Sequence, residues 1–294
     1  MASPEPSNLK AALWMAASIA SFLTMSVAGR ETASVLSVFQ VLEMRSVIGF
    51  FMLLPLVYAA GGFPAMRTQR PWLHISRNVV HYVGQFGWLY ALMLIPLAEL
   101  ISIEFTTPIW TALLAVTFLG EKLTRPRITA IVLGLVGVLI IVRPGVHAIQ
   151  TGHLVMLGGA VLFGISMVMV KSLTRTDNVV RIIFWMLIIQ SAIGLIPAIY
   201  LWKAPPPEVW PWILVIAFTG TSSHFCLARA LSYADATLVS PIDFLRLPLS
   251  ALLGWLVYHE QIDVWTAAGA VLILTGNLLN LRGKAGREAE PVTP

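Results

Sequence analysis

Charge is what this 294-residue chain has least of: Asp, Glu, Lys and Arg together supply 11% of it. A soluble domain runs near a quarter. With a hydrophobic fraction of 57%, a water-soluble fold of this length would have far more apolar surface than it could hide. Cysteine is scarcer still. Cys226 stands alone inside an apolar run, which excludes a disulfide framework and a thiol metal site. The phosphate-cradling glycine loop of nucleotide hydrolases is missing. So are a His-Glu-x-x-His zinc pair and a Gly-x-Ser-x-Gly nucleophile turn. No run of regularly spaced arginines marks a voltage sensor. Nothing in the pattern asks for a metal or any other cofactor.

Long apolar runs take up most of the length. Ten candidate spans have cores near 9–28, 37–60, 72–94, 98–118, 127–142, 153–171, 180–202, 211–229, 237–258 and 264–281. Several approach the ~18 apolar residues that suggest a bilayer crossing. Turn residues separate them, among them Gly61-Gly62, Pro71, Pro96, Pro144-Gly145 and Pro205-Pro206-Pro207. The polar start, Met1 to Asn8, lacks a cleavage signature, so the first apolar run reads as a retained helix. The formal charge of +5 does not indicate nucleic acid, because the basic residues sit in short loops. If loops alternate sides, thirteen Lys and Arg fall on the side of the N-terminus, from Lys10 and Arg67 to Arg287, against Arg30, Arg143 and Lys203 opposite. The positive-inside rule then puts both termini in the cytoplasm of a bacterial inner-membrane protein.

The chain also repeats itself. Shifted by 139 residues and without a gap, Ile103-Glu104-Phe105 meets Ile242-Asp243-Phe244, Ala112-Leu113-Leu114 meets Ala251-Leu252-Leu253, and Glu121 meets Glu260. Two copies across ten spans hold five each. An odd number makes the second copy cross in the opposite sense, the inverted-repeat arrangement of many secondary transporters. The expected fold is all-α integral membrane, ten helices as a 5+5 inverted repeat. The first repeat covers 9–145 and the second 146–282, with tails at 1–8 and 283–294.

At the repeated box, Pro108 to Thr124 reads PIWTALLAVTFLGEKLT, and Pro248 to Ile262 reads PLSALLGWLVYHEQI. The first resembles the Leu-Gly-Glu box of the EamA family of the drug/metabolite transporter superfamily. Arg45 to Pro55, RSVIGFFMLLP, is similar to that family's second helix. His259 departs from the pattern, standing where Gly120 stands in the first copy. The likeness covers roughly 10 to 282. It implies metabolite export or exchange by alternating access, and the family's amino-acid exporters, including the YddG type that handles aromatic amino acids, look closest in size and architecture. Uptake of riboflavin-like or nucleoside-like compounds is the alternative. An intramembrane enzyme, in which His81, Glu104 and His224 meet, or a passive channel, stays open as a further reading.

Ionisable residues inside spans cost a few kcal/mol each and need a reason. On helix 3, Arg77, His81, Gln85 and Trp88 recur at i, i+4, i+8 and i+11 and form one stripe, with Tyr82 beside it. Gln85 aligns with His224 of the second copy, whose neighbour is Phe225. The expected substrate site is His81, Tyr82, Gln85, Trp88, His224 and Phe225; the same residues could instead be packing glue. Glu104 and its mate Asp243 are proton-coupling candidates. Asp243 has Arg246 at i+3, a structural ion pair, whereas Glu104 has no cation nearby in sequence. Glu43 and Arg45 point apart and are expected to pair across helices. Glu121 and Glu260 read as caps or loop anchors at water level. Of the ten tryptophans, Trp14, Trp88, Trp110, Trp185 and Trp255 lie deep enough to stack a planar substrate. Ala130, Gly134 and Gly137, repeated by Gly269 and Gly276, allow close helix approach, either between helices 5 and 10 or in a homodimer.

Overall fold

The computed structural model describes residues 7–119, 125–143, 150–234, 239, 242–261 and 263–288. Side chains at 115–119, 127 and 280–288 are outside that description, as are Glu121 and Ser240. Every regular element among the described residues is helical. In chain order these are α1 (Asn8–Ala33), α2 (Val38–Ala59), α3 (Pro71–Leu92), α4 (Leu97–Glu104), α5 (Thr107–Leu119) and α6 (Arg125–Val142). Then follow α7 (Thr151–Leu173), α8 (Val179–Tyr200), α9 (Trp210–Tyr233), α10 (Arg246–Tyr258) and α11 (Val264–Glu288).

The helix starts follow from the sequence. Ser7, Ser37 and Asn178 cap α1, α2 and α8 by accepting a backbone N–H three residues on. Pro71 and Pro211 occupy first turns, where a missing N–H costs nothing. Six helical segments are long and apolar enough to cross a membrane: Asn8–Ala33, Val38–Ala59, Leu97–Leu114, Thr151–Leu173, Val179–Tyr200 and Pro207–Tyr233. Two shorter apolar helices, Ile128–Val142 and Val264–Leu279, add to these. This is a multi-pass membrane protein. At 22 residues α3 is long enough to belong with the six, but its polar stripe lowers its hydropathy.

Two of the expected spans, 98–118 and 237–258, are each interrupted within the run. The first is broken at Phe105–Thr106, between α4 and α5. The second is broken at Phe244–Leu245, before α10. These are aligned positions of the repeat. Both restarts tolerate a proline: Pro108 and Pro248 fall in the first turn of α5 and α10.

Packing repeats as the sequence does. Exchanging the halves maps α1 on α7, α2 on α8, α3 on α9 and α6 on α11. The observed pairs obey this exchange: α1 lies along α9 and α7 along α3, while α2 pairs with α8 and α6 with α11. Gly137 approaches the Gly269 carbonyl, and its mate Gly276 approaches that of Ala130. The small-residue faces therefore meet inside the chain, the first of the two uses the sequence left open.

Candidate functional site

Aligned mates that lie together must sit near the axis relating the halves, and two such pairs mark the centre. Phe105 and Phe244, at the two helix breaks, meet edge to face with centroids 5.6 Å apart. Gln85 of α3 and His224 of α9 line one cavity with Arg45, Met186, Leu187, Gly220 and Thr221.

At the breaks the chemistry is a clasp. Arg246 opens α10, and its Nη1 donates to Glu104 Oε1 at 2.8 Å while Nη2 reaches Asp243 Oδ2 at 3.5 Å. Its guanidinium lies 4.3 Å from the Phe22 ring centroid and 4.7 Å from that of Phe105. Trp88 Nε1 donates to the other Glu104 oxygen at 2.6 Å. Glu104 thus has the cation that its sequence neighbourhood lacks, supplied by the opposite half. The free carbonyl of Phe105 accepts from Asn277 Nδ2 of α11 at 2.8 Å, so the broken turn is satisfied.

The stripe on α3 points inward, with Arg77, His81, Gln85 and Trp88 each less than a tenth exposed. Gln85 Oε1 accepts from Arg45 Nη2 at 2.7 Å. His81 Nδ1 lies 3.2 Å from Gln190 Nε2 of α8, and its ring faces Phe163 at 5.5 Å and His224 at 6.3 Å. Arg77 Nη1 donates to Asn78 Oδ1 at 2.8 Å, leaving its buried Nε without a partner. Arg45 and Arg77 have no carboxylate partner among the described residues, so the expected ion pair at Arg45 is replaced by an amide contact. The cavity itself offers ≈ 10 Å³ to the centre of a water-sized sphere, about one water. His224, on its wall, remains exposed to solvent.

The six expected site residues separate. His81, Gln85 and His224 converge at the junction. Trp88 belongs to the clasp through Glu104. Tyr82 turns toward Gly194 of α8. Phe225 packs edge-on to Trp14 of α1, 6.0 Å between centroids, and stays out of the cavity lining. Glu104 does not meet His81 and His224 in any hydrogen bond, so the triad an intramembrane enzyme would use is not assembled. Sequence reasoning set Arg45 aside and overlooked Thr221 and Gly220. Their signal was alignment, since Gly220 and Thr221 are the mates of His81 and Tyr82.

Both rims are held by ions. On one, Glu260 accepts the Leu97 N–H at 2.8 Å, capping α4, and pairs with Arg30, while Arg143 pairs with Asp263. Glu260 is thus the anchor expected of it. On the other, Asp177 receives Thr68 Oγ1 at 2.9 Å, His74 Nε2 at 2.9 Å and Arg181 Nη1 at 2.6 Å. Burial alone would raise the Asp177 carboxyl, but these hydrogen bonds outweigh it and hold it below the ordinary carboxylate value.

Comparison with known proteins agrees with this architecture. The model of the EamA-like transporter family matches the chain twice, over residues 9–143 and 150–282. A riboflavin transporter of Brucella anthropi is 32% identical, covering 82% of this chain and 86% of that protein. An S-adenosylmethionine uptake transporter of Rickettsia felis is 26% identical over 90% of each chain. A pseudopaline exporter of Pseudomonas aeruginosa is 26% identical over 90% of this chain and 93% of that one. A solved crystal structure, 19% identical, superposes with a TM-score of 0.67 over 97% of this chain and 100% of the other, a likeness of fold.

Proposed function

The chain belongs to the EamA-like transporter family, and from that premise we propose that it is an alternating-access secondary carrier for a small organic metabolite. In this reading ten crossings form a 5+5 inverted repeat over 9–145 and 146–282, in a bacterial inner membrane with both termini cytoplasmic. The observation that carries it is the convergence of aligned mates at the centre, Gln85 and His224 on the wall of one cavity and Phe105 against Phe244. A site on the axis belongs equally to both halves. Rocking one half against the other can therefore open it to either face while its residues stay in place. The two ion-held rims are what gating at either face needs.

The substrate favoured is a planar, polar heteroaromatic compound of the riboflavin kind, taken up. Imidazole, amide and guanidinium groups offer hydrogen bonds, and Phe163 beside His81 offers a stacking wall. The names of two relatives, riboflavin transporter and S-adenosylmethionine uptake transporter, support uptake of such compounds. Export of aromatic amino acids is the second reading. Arg45 favours it, because a guanidinium on the cavity wall with no carboxylate partner suits a substrate carboxylate. Purified protein in liposomes tests both through counterflow of riboflavin, S-adenosylmethionine and tryptophan. Saturable exchange of one of them is expected. Linear, unsaturable flux would mean a channel, and consumption of the compound an enzyme.

A further inference from the structure

Two carboxylates are buried among the described residues, Glu43 and Asp177. Asp177 has Arg181 and His74. Glu43, 5% exposed on α2, has no cation partner among the described residues: its one hydrogen bond there comes from the Ser191 hydroxyl of α8, to Oε1. Its other oxygen, Oε2, is buried and partnerless, and so is the phenol oxygen of Tyr82 on α3. The two converge on one spot. A Cβ added to Gly194 of α8 would stand 2.7 Å from the Tyr82 hydroxyl and 2.9 Å from Glu43 Oε2. Glycine is the residue that leaves room for both.

From this arrangement we propose that Glu43, with Tyr82 and Ser191, is a proton-binding site of the carrier. The inference rests on the transport reading above. An ionised carboxylate without a counter-charge at this depth costs several kcal/mol, whereas the neutral acid needs only hydrogen bonds. The charged and titratable groups around it turn elsewhere. Arg45 of the same helix reaches Gln85; on α3, Arg77 reaches Asn78 and His81 reaches Gln190. His224 of α9 lines the central cavity, and α8 contributes only Ser191 and Gly194 at the carboxyl. Glu104 and Asp243, the carboxylates singled out by the repeat, share Arg246 and are poorer proton carriers for that reason. The bond that breaks is the O–H of the Glu43 acid. The proton passes to water when α2 and α8 part, and the carboxyl takes up another from the opposite face.

Ser191 also lines a groove of about 380 Å³ between α2 and α8, walled by Phe50, Phe51 and Leu195. An apolar reagent can approach the acid along it. The test is labelling with dicyclohexylcarbodiimide in lipid vesicles, since this reagent attacks protonated carboxyls from the apolar phase. Peptide mapping of the wild-type chain should place the adduct on Glu43, with a yield that falls as pH rises, and E43Q should lose it. Labelling of Glu104 instead, or none at Glu43 at any pH, would overturn the proposal. So would protection by Na⁺ at constant pH, which would make the pocket a sodium site. In liposomes, E43Q should keep counterflow and lose accumulation driven by a pH gradient; wild-type-like accumulation by E43Q would also overturn it. Absence of counterflow in the wild type would count against the carrier reading and leave the labelling result standing.

Discussion

At the residue scale, the fold is symmetric and its chemistry is not. Arg45, Arg77, His81 and Tyr82 have the mates Phe184, Ile216, Gly220 and Thr221. At these four positions the first half supplies the charge, and the second supplies small or apolar side chains. His81→Ala and Gln85→Ala are expected to cut transport at least tenfold with expression unchanged, a loss of about 1.4 kcal/mol or more of substrate or transition-state binding. Phe225→Ala should leave transport intact and cost only its ring contact with Trp14, roughly 0.5–1.5 kcal/mol of stability. Flux assays beside detergent unfolding separate the two effects. The stripe on α3 was legible because helical spacing alone puts Arg77, His81, Gln85 and Trp88 on one face. The division of labour within it was not. Spacing fixes the face of a side chain but not its partner, and Glu104, sixteen residues on, decides where Trp88 points.

At the element scale, the broken helices were the least legible feature. Nothing in the apolar runs 98–118 and 237–258 demands a break, and Pro108 and Pro248 only permit one. What stabilises the breaks comes from elsewhere in the chain, Arg246 from the opposite half and Asn277 from α11. Arg246→Leu should therefore destabilise the protein by about 3–5 kcal/mol, because it strands Glu104 without its cation. A double variant that also carries Glu104→Gln should recover part of that loss in denaturant unfolding. The small-residue stripes show a different limit. Their close approach was readable, but their partner was not until α6 and α11 were seen together. A Cβ at Gly137 would lie 2.6 Å from the Gly269 carbonyl, so Gly137→Leu should wedge α6 from α11 and cost about 1–3 kcal/mol or more.

At the scale of the whole molecule, the rims decide which face is closed. Asp177 ties its own loop to α3 and to Thr68, at the end where basic residues gather. Its folded carboxyl value is lowered, so its contribution is fully present above the unfolded value of about 4 and fades as pH falls through the lower folded value. Wild-type stability should lose this contribution only in that acid range. Asp177→Asn should lose it at neutral pH, by about 3–5 kcal/mol if His74 and Arg181 are left unpaired. Unfolding midpoints across pH in detergent give the comparison. The repeat and the inward stripe could both be read from residues alone. How the halves lean could not, because it depends on contacts made between them.

The most direct test of the account is two-sided accessibility of the junction. Cys226 is the sole cysteine, so its replacement by Ala gives a clean background for Gln85→Cys and Thr221→Cys. Both should react with membrane-impermeant thiol reagents from either face in turn, switching with substrate or with the direction of the gradient, while cysteines added at the two termini react from the cytoplasm. Reaction at positions 85 and 221 from one face under every condition, or termini on opposite faces, would contradict it.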